Sequence, residues 1–249
     1  NSVEKQIFKN CKKMKLDQFD IQDKIIMNVG SGREALALMQ FNPKKIYHYD
    51  ISNVNIDTFR KILVTKKMEE CIISKQLDLS KDKLPSSKFD FIYLHGIIQH
   101  VDYIDKAMIN ISNSIKKNGT LWFCFYRPGS LHVLLGSMQR FLSKNINIKN
   151  FYKKLMKKKY SFQFKDEIMD DCFVPNRQLF YPKDYMRNLK KLNLKIFGDS
   201  FLINAVQKYN FNKFHSSVIF FLKKTSNQRI LLKFGNFLKQ RDVVDVLDT

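Results

Sequence analysis

The sequence predicts an α/β protein: a mostly parallel, seven-stranded sheet with helices on both faces. Short β-branched apolar runs alternate with helical stretches from about residue 24 to residue 126. Such alternation is typical of parallel strands joined by crossover helices. Two later strands, near residues 194–197 and 217–222, have no clear helical pattern between them. That absence predicts a hairpin and one antiparallel strand at the edge of the sheet.

The first strand, helix and second strand form the unit around which the chain is organised. The apolar run of residues 24–29 leads directly into Gly30, Ser31 and Gly32, and strong helix formers follow. Glycines let the backbone turn tightly and approach a ligand closely. The second strand ends on Asp50, at the distance where nucleotide-binding units carry an acid for the ribose hydroxyls. A structural turn followed by a surface aspartate is the alternative.

The rest of the chain is interpreted as additions to a single domain spanning residues 1–249. Residues 1–20 predict an N-terminal helix. The regular alternation breaks at residues 130–174, which predict a helical insertion that could act as a lid after the fifth strand. Residues 226–249 predict a helical tail, because their apolar side chains recur at helical spacing.

Composition limits the classes of function only loosely. The net charge is +21, which fits a phosphate-rich partner. Lysine far outnumbers arginine, however, and arginine is the better residue for phosphate forks. We therefore regard nucleic acid as a less favoured partner. The four cysteines are widely spaced and predict no metal site, and the absence of a long apolar run predicts no transmembrane segment. A reducing cytoplasmic location is expected.

Residues at successive strand ends resemble those of the class I S-adenosylmethionine-dependent methyltransferases. That family has a glycine loop after strand one, matched by Gly30-Ser31-Gly32, and an acid after strand two, matched by Asp50. An aspartate after strand three is matched by Asp78. Residues 94–102 resemble the family's histidine-containing segment after strand four, and residues 117–120 resemble its glycine turn. The resemblance is clear over about residues 20–126 and looser over residues 180–223.

The resemblance implies a Rossmann-like fold, S-adenosyl-L-methionine as cofactor and S-adenosyl-L-homocysteine as product. One departure concerns Asn28, because the family usually has an acid there, and an amide lacks the charge to bind an ammonium group as strongly. Glu34 replaces a small residue of the family's loop. The residues implied to bind the cofactor are Asn28, Gly30, Ser31, Gly32, Asp50, Ile51, Asp78, Leu79, His95 and Gly96.

Methyl transfer from a sulfonium depends mainly on alignment, and it needs a base only when the acceptor must lose a proton. His100 is the first candidate base, because it follows strand four at the ligand-binding edge; a packing or capping role is the alternative. Tyr126 and Arg127, where strand five ends, are candidates for touching the acceptor, or simply form the strand exit. Arg177 is a candidate clamp for an anionic acceptor, with a surface salt bridge as the alternative.

Three functions remain open at this point. The first is an enzyme that methylates a small molecule or biosynthetic intermediate on oxygen, nitrogen or sulfur. The Asn/Asp-Pro-Pro-Tyr and Pro-Cys motifs common in base-methylating enzymes do not occur in the sequence. The second is an RNA methyltransferase, supported by the net charge and by the lysine-rich aromatic run of residues 149–164. The third is a non-catalytic binding module with the same fold, suggested by Asn28 and Glu34.

Overall fold

The computed structural model describes residues 5, 7, 21–30, 32–126, 131–160, 162–179, 192, 194–198 and 217–224. For some of these, including residues 217–224, it describes the backbone alone. Apart from residues 5 and 7, the predicted N-terminal helix lies outside the described residues. So does the predicted tail, residues 226–249. Among the described residues, no helix is long and apolar enough to cross a membrane.

The strands form one sheet with the order β3-β2-β1-β4-β5-β7-β6. Strands β1 to β5 pair in parallel, which confirms the predicted α/β architecture with a parallel sheet. Their carboxyl ends therefore meet at one edge, where parallel α/β sheets bind ligands. The strands are β1 (Ile25–Val29), β2 (Lys45–Asp50), β3 (Ile72–Gln76), β4 (Phe89–His95), β5 (Ile115–Tyr126), β6 (Leu194–Gly198) and β7 (Ser217–Lys224).

The prediction of an antiparallel strand at the sheet edge is wrong in its placement. Strand β7 pairs antiparallel with both β5 and β6, so it lies inside the sheet and β6 forms the edge. Strand β7, SVIFFLKK, has eight residues, long enough to pair along both β5 and β6. The shorter β6, LKIFG, is better suited to an edge. A hairpin pattern predicts that two strands pair, but it does not predict which of them joins the rest of the sheet.

The helices follow the strands as the alternation predicts. Helix α2 begins after Ser52, whose hydroxyl accepts a hydrogen bond from the Asn55 amide at 3.3 Å, a normal N-terminal cap. The predicted insertion contains three helices, α4 to α6. The helices are α1 (Arg33–Leu38), α2 (Asn53–Lys66), α3 (Ile104–Ser114), α4 (Leu131–Ser143), α5 (Ile148–Met156) and α6 (Phe162–Phe173), with 3-10 turns at Met39–Phe41 and Ile98–His100.

Buried apolar side chains cover both faces of the sheet, as expected when helices lie on each side. One face packs Met27, Ile92 and Leu121 against α3. The other packs Ile26 and Trp122 in one cluster with buried residues of α1 and α2. Because both faces are covered by packed side chains, the positions of the strand ends are fixed by the core, and those ends carry the polar residues described next.

Candidate functional site

The glycine turn after β1 has a backbone that only glycine adopts easily. Gly30 has φ 120° and Gly32 has φ 80°, both in the left-handed half of conformational space. The Gly30 amide donates to the Tyr49 carbonyl at 2.9 Å, which holds the turn against β2. A Cβ on Gly32 would lie 2.6 Å from the Phe59 ring. The turn therefore packs directly on α2 and has no space for a side chain.

A buried histidine, which the sequence analysis did not single out, fixes this turn. The His48 Nε2 atom lies 2.6 Å from the Gly30 carbonyl oxygen, and its Nδ1 atom lies 2.9 Å from the Ser74 hydroxyl. Because a carbonyl can only accept, Nε2 carries the hydrogen and Nδ1 accepts from Ser74. Burial lowers the pKa of His48, although the Gly30 hydrogen bond and the nearby Asp50 charge oppose the shift. A neutral ring thus links β3 to the turn.

The sequence does contain a signal for His48. It is a polar residue in the second strand, and the strand register places it beside Asn28 in β1 and Ser74 in β3. These three polar side chains form a row across the sheet, and His48 and Asn28 are fully buried. Buried polar groups need hydrogen-bond partners. A polar residue inside an apolar strand at the site was therefore a candidate for a positioning role.

Acidification should destabilise the protein partly through His48. Its pKa in the folded state is below the ordinary value of 6.5, so the unfolded chain binds more protons in that range and stability rises with pH. The contribution is present above pH 6.5 and is lost as the pH falls toward the folded-state pKa. We expect His48→Gln to flatten the dependence of the unfolding free energy on pH between about 5 and 7.

Denaturant unfolding at several pH values checks this expectation. His100 also has a pKa lowered by burial, so His100→Gln serves as a second variant and should remove its own share of the slope. If His48→Gln kept the full wild-type pH dependence, the neutral, buried form of His48 would be contradicted.

Asp50, at the end of β2, is oriented by the chain that follows it. Its Oδ1 atom accepts from the Ser52 amide at 2.7 Å, and its Oδ2 atom accepts from the Asn55 side chain at 3.2 Å. A carboxylate oxygen can accept two hydrogen bonds, so each oxygen keeps capacity for a hydroxyl donor. Ile51 beside it is 64% exposed and presents an apolar surface next to the acid. Asp50 and Ile51 together suit a ribose that carries a flat ring.

Asn28 is fully buried at the start of the turn. Among the residues that the structure describes, neither its side-chain nitrogen nor its oxygen has a hydrogen-bond partner. An unsatisfied buried polar group costs about 1–3 kcal/mol. Binding of a ligand that supplies a hydrogen-bond partner to Asn28 would therefore be favoured. The amide can accept from an ammonium and donate to a carboxylate, and both groups occur in an amino acid. Asn28 therefore fits the amino-acid end of the implied cofactor.

Asp78 lies in the loop after β3 and is held by its own loop. Its Oδ1 atom accepts from both the Ser80 amide and the Ser80 hydroxyl, at 2.8 and 2.7 Å. Burial raises the pKa of Asp78, but the Ser80 hydrogen bonds and the Lys81 ammonium outweigh it and leave the pKa lowered. The carboxylate is thus ionised and can accept from an amino group. The Leu79 side chain is buried in the core, so only its backbone can face a ligand.

The segment after β4 meets the glycine turn. A Cβ on Gly30 would lie 3.0 Å from the Cδ1 atom of Ile97, so these two candidate regions are adjacent. Gly96 has φ 63°, and its amide donates to the Cys124 carbonyl at 3.0 Å. The His95 ring packs edge-on against Trp122, with ring centroids 5.1 Å apart. The structure therefore brings the ends of β1 and β4 together, as the sequence predicts.

His100 has a protein partner at each ring nitrogen. Its Nδ1 atom lies 2.6 Å from the Asn176 carbonyl oxygen, and its Nε2 atom lies 3.2 Å from the Gln99 side-chain nitrogen. Nδ1 must be the donor to a carbonyl, so Nε2 accepts from Gln99. Burial lowers the pKa of His100, which keeps the ring neutral. These contacts favour the packing alternative, because the lone pair that a base would use is already engaged.

The chain after α6 is hydrogen-bonded to the same segment. The Gln178 amide donates to the Gln99 carbonyl at 2.8 Å, and the Gln178 side chain donates to the Val101 carbonyl at 3.0 Å. The Asn176 side chain also donates to Asp102. Residues 176–178 therefore return from the insertion onto the segment that follows β4. This contact positions the insertion beside the candidate site.

Arg177 has a different environment from the one that the sequence predicts. Its side chain is only 5% exposed, and its Nη2 atom lies 3.4 Å from the Asp171 carboxylate. The alternative of a surface salt bridge is right about the ion pair and wrong about its location, because the side chains of Arg177 and Asp171 are 5% and 10% exposed. The guanidinium already faces an acid, so its position needs no anionic acceptor to explain it.

Some candidate residues cannot be placed. Ser31 and Arg127 lie outside the described residues, and Tyr126 is described by its backbone alone, where it pairs with Ser217 at the end of β5. Among the described residues, no group of three or more His, Cys, Asp or Glu side chains could hold a metal ion.

Comparison with known proteins identifies the class. Residues 27–123 match a protein family described as "Methyltransferase domain", and these residues carry the turn, Asp50, Asp78 and the segment after β4. Residues 27–123 are thus similar to the domain of methyltransferases. This confirms the resemblance found in the sequence and, with it, S-adenosylmethionine as the cofactor. A comparison with curated proteins finds no match.

Several solved structures share the fold. An S-adenosylmethionine-dependent methyltransferase from Mesorhizobium loti has a TM-score of 0.57 at 9% identity, covering 82% of this chain and 92% of that one. A putative methyltransferase from Listeria monocytogenes has a TM-score of 0.56 at 12% identity, with coverages of 88% and 96%. PKMT2 from Rickettsia typhi, in complex with AdoHcy, has a TM-score of 0.56 at 16% identity and covers 82% of this chain. The chain spans about half of PKMT2, 49% of its length.

Proposed function

We propose that this chain is an enzyme that transfers the methyl group of S-adenosylmethionine to a small molecule or biosynthetic intermediate, on oxygen, nitrogen or sulfur. The observation that carries the proposal is the buried Asn28 amide, which lacks a partner among the described residues beside a glycine turn with no space for side chains. Bound S-adenosylmethionine supplies a methyl group already activated by a sulfonium. The protein then has to bind and orient the cofactor and the acceptor and to exclude water.

Each described residue of the site has a part in binding. Asn28 meets the amino-acid end of the cofactor, the turn at Gly30 lets the backbone approach it, and Asp50 accepts from the ribose hydroxyls. Ile51 packs on the flat adenine ring, and Asp78 accepts from its amino group. The carboxylates of Asp50 and Asp78 are already held by protein hydrogen bonds, so they need little ordering when the cofactor binds.

The acceptor lies, on this proposal, between the segment after β4 and the insertion. Helix α4 begins soon after β5, and residues 176–178 contact the segment after β4, so the insertion borders the site on two sides. Most of the rate gain comes from alignment there. An acceptor that enters without a proton to lose needs no base, which agrees with the engaged nitrogens of His100. Tyr126 and Arg127 remain candidates for contacting the acceptor.

We expect Asp50→Ala to weaken cofactor binding by about 1–3 kcal/mol, because the ribose hydroxyls would lose their acceptor inside a partly closed site. Titration calorimetry with S-adenosylhomocysteine measures the change. Asp57→Ala is a matched control, since it removes an exposed acid of α2 that takes part only in a surface ion pair and should leave the affinity unchanged. Equal affinities for wild type and Asp50→Ala would contradict the assigned ribose site.

Binding of S-adenosylmethionine also separates the enzyme from a non-catalytic module. The proposal expects binding heat with the wild-type chain and loss of methyl label from the cofactor when an acceptor is present. Absence of binding heat at high cofactor concentration would contradict the proposal at its first step.

A further inference from the structure

The outward face of α4 is apolar. Its inward side is formed by Val133, Gly136 and Ser143, and Gly136 lies against the Asp171 carboxylate. The outward positions recur at helical spacing and are large apolar side chains, interrupted by Gln139. The apolar face consists of Leu134, Leu135, Met138, Phe141 and Leu142, continued by Ile146 and Ile148, and these residues are between 44% and 71% exposed. An exposed apolar patch of this kind usually marks an interaction surface.

A basic segment overlaps the end of the apolar face in the sequence and follows it. Residues 131–165 contain no aspartate or glutamate, so this stretch of sequence carries only positive charge. The described lysines of α5 are exposed, and Tyr152 among them is 46% exposed. The cations of the basic segment are Arg140, Lys144, Lys149, Lys153, Lys154, Lys157, Lys158, Lys159 and Lys165.

The exposed apolar face of α4 and the basic segment together restrict the kind of partner that this surface can bind. A second copy of this chain, related by a two-fold axis, would place the two basic segments near each other and repel. Single-stranded RNA prefers aromatic rings on which bases stack. The basic segment offers the exposed ring of Tyr152, but the apolar face of α4 is aliphatic apart from Phe141 and would stay uncovered in an RNA complex. An anionic lipid surface offers both a negative charge and an apolar layer. Helices with one apolar and one basic side bind there.

We propose that the apolar face of α4 and the basic segment dock this chain onto the surface of a membrane that contains anionic lipid. The apolar face enters the boundary between headgroups and acyl chains, and the lysines contact the lipid phosphates. This inference rests on the exposed surface alone and does not depend on the methyl transfer proposed above. No helix among the described residues could span the bilayer, so the association is peripheral.

Cosedimentation of the full chain with vesicles tests the proposal, using phosphatidylcholine with and without phosphatidylglycerol. We expect binding only when phosphatidylglycerol is present, and weaker binding as salt increases. Lys153→Gln/Lys154→Gln should lower the affinity about 25-fold, since each surface lysine contributes about fivefold. Leu135→Gln/Met138→Gln should lower it at least about tenfold.

Matched variants on α2 serve as controls. Lys61→Gln/Lys66→Gln and Val64→Gln change exposed residues of the same kinds and should leave vesicle binding unchanged. Losses in the α2 variants equal to those in the α4 and α5 variants would overturn the proposal.

Three further outcomes would each overturn it in favour of another occupant of the apolar face. The first is self-association that Leu135→Gln/Met138→Gln abolishes, without vesicle binding, which indicates a second copy. The second is RNA binding that is lost in the lysine variant but kept in the apolar variant, again without vesicle binding. The third is a loss of stability in the apolar variant much larger than in Val64→Gln, which indicates that another part of the chain covers the face.

Discussion

Replacing Gly32 by alanine is expected to destabilise the protein by about 2–5 kcal/mol and to abolish cofactor binding. The backbone at Gly32 has φ 80°, which costs an alanine about 1–2 kcal/mol. The new methyl group would also lie 2.6 Å from the Phe59 ring, and overpacking of that kind costs about 1–3 kcal/mol. Relief of the clash must move α2 or the turn, and both contribute to the site. Denaturant unfolding and calorimetry measure the two effects.

Gly96→Ala separates the clash from the backbone strain. Gly96 has a similar φ of 63°, but a Cβ there would lie 3.5 Å from the Gln99 side-chain nitrogen, an ordinary contact. We expect Gly96→Ala to lose only the strain contribution to stability. If the two variants had the same unfolding free energy, the close packing of the turn on α2 would be contradicted. The comparison concerns stability, because both glycines belong to the predicted site.

Asp171→Asn is expected to lower the free energy of unfolding by about 3–5 kcal/mol, the usual cost of removing one partner from a buried ion pair. The side chains of Arg177 and Asp171 are 5% and 10% exposed, so water cannot replace the lost charge. The Asp171 carboxylate also lies against Gly136, and asparagine preserves its size. The change therefore tests charge alone. Denaturant unfolding of the full chain measures it.

Asp57→Asn is the control for this variant. It breaks the ion pair of Asp57 with Arg60, whose side chains are 65% and 54% exposed, and exposed pairs contribute less than about 1 kcal/mol. Equal stabilities of the two variants would show that burial does not strengthen the Asp171 pair. A loss of the pair should also loosen residues 176–178, and with them the partner of His100.

The strand ends could be predicted because each carries its own local pattern. Apolar runs, the glycines and Asp50 appear within a few residues of one another, so the parallel core could be predicted from the sequence. The cofactor-binding role of the glycines and Asp50 stays a prediction. The C-terminal end of helix α3 was harder to predict. The helix ends at Ser114, before the glycine turn that the resemblance placed at residues 117–120, and Asn118 takes a left-handed conformation, φ 63°, inside β5. Pairing with β4 competes with helix propensity there.

Contacts between distant parts of the chain could not be predicted. His48 contacts Gly30 and Ser74 across three strands, and His100 contacts Asn176 across 76 positions of sequence. The two alternatives for Arg177, an anionic clamp and a surface salt bridge, did not include a buried ion pair, because its burial depends on contacts with helices α4 and α6. A single sequence records local preference, whereas these pairings depend on how separate elements pack.

The hydrogen bonds of residues 176–178 to the segment after β4 close the insertion into a loop whose two ends meet. The chain leaves the sheet at the end of β5 and returns, at residues 176–178, to the segment after the neighbouring strand β4. The two ends of the insertion therefore lie side by side. Changing the length of such a loop costs little free energy, about 0.6 kcal/mol for each doubling. Helices α4 to α6 can therefore be exchanged or resized over evolutionary time while the cofactor end of the molecule keeps its shape.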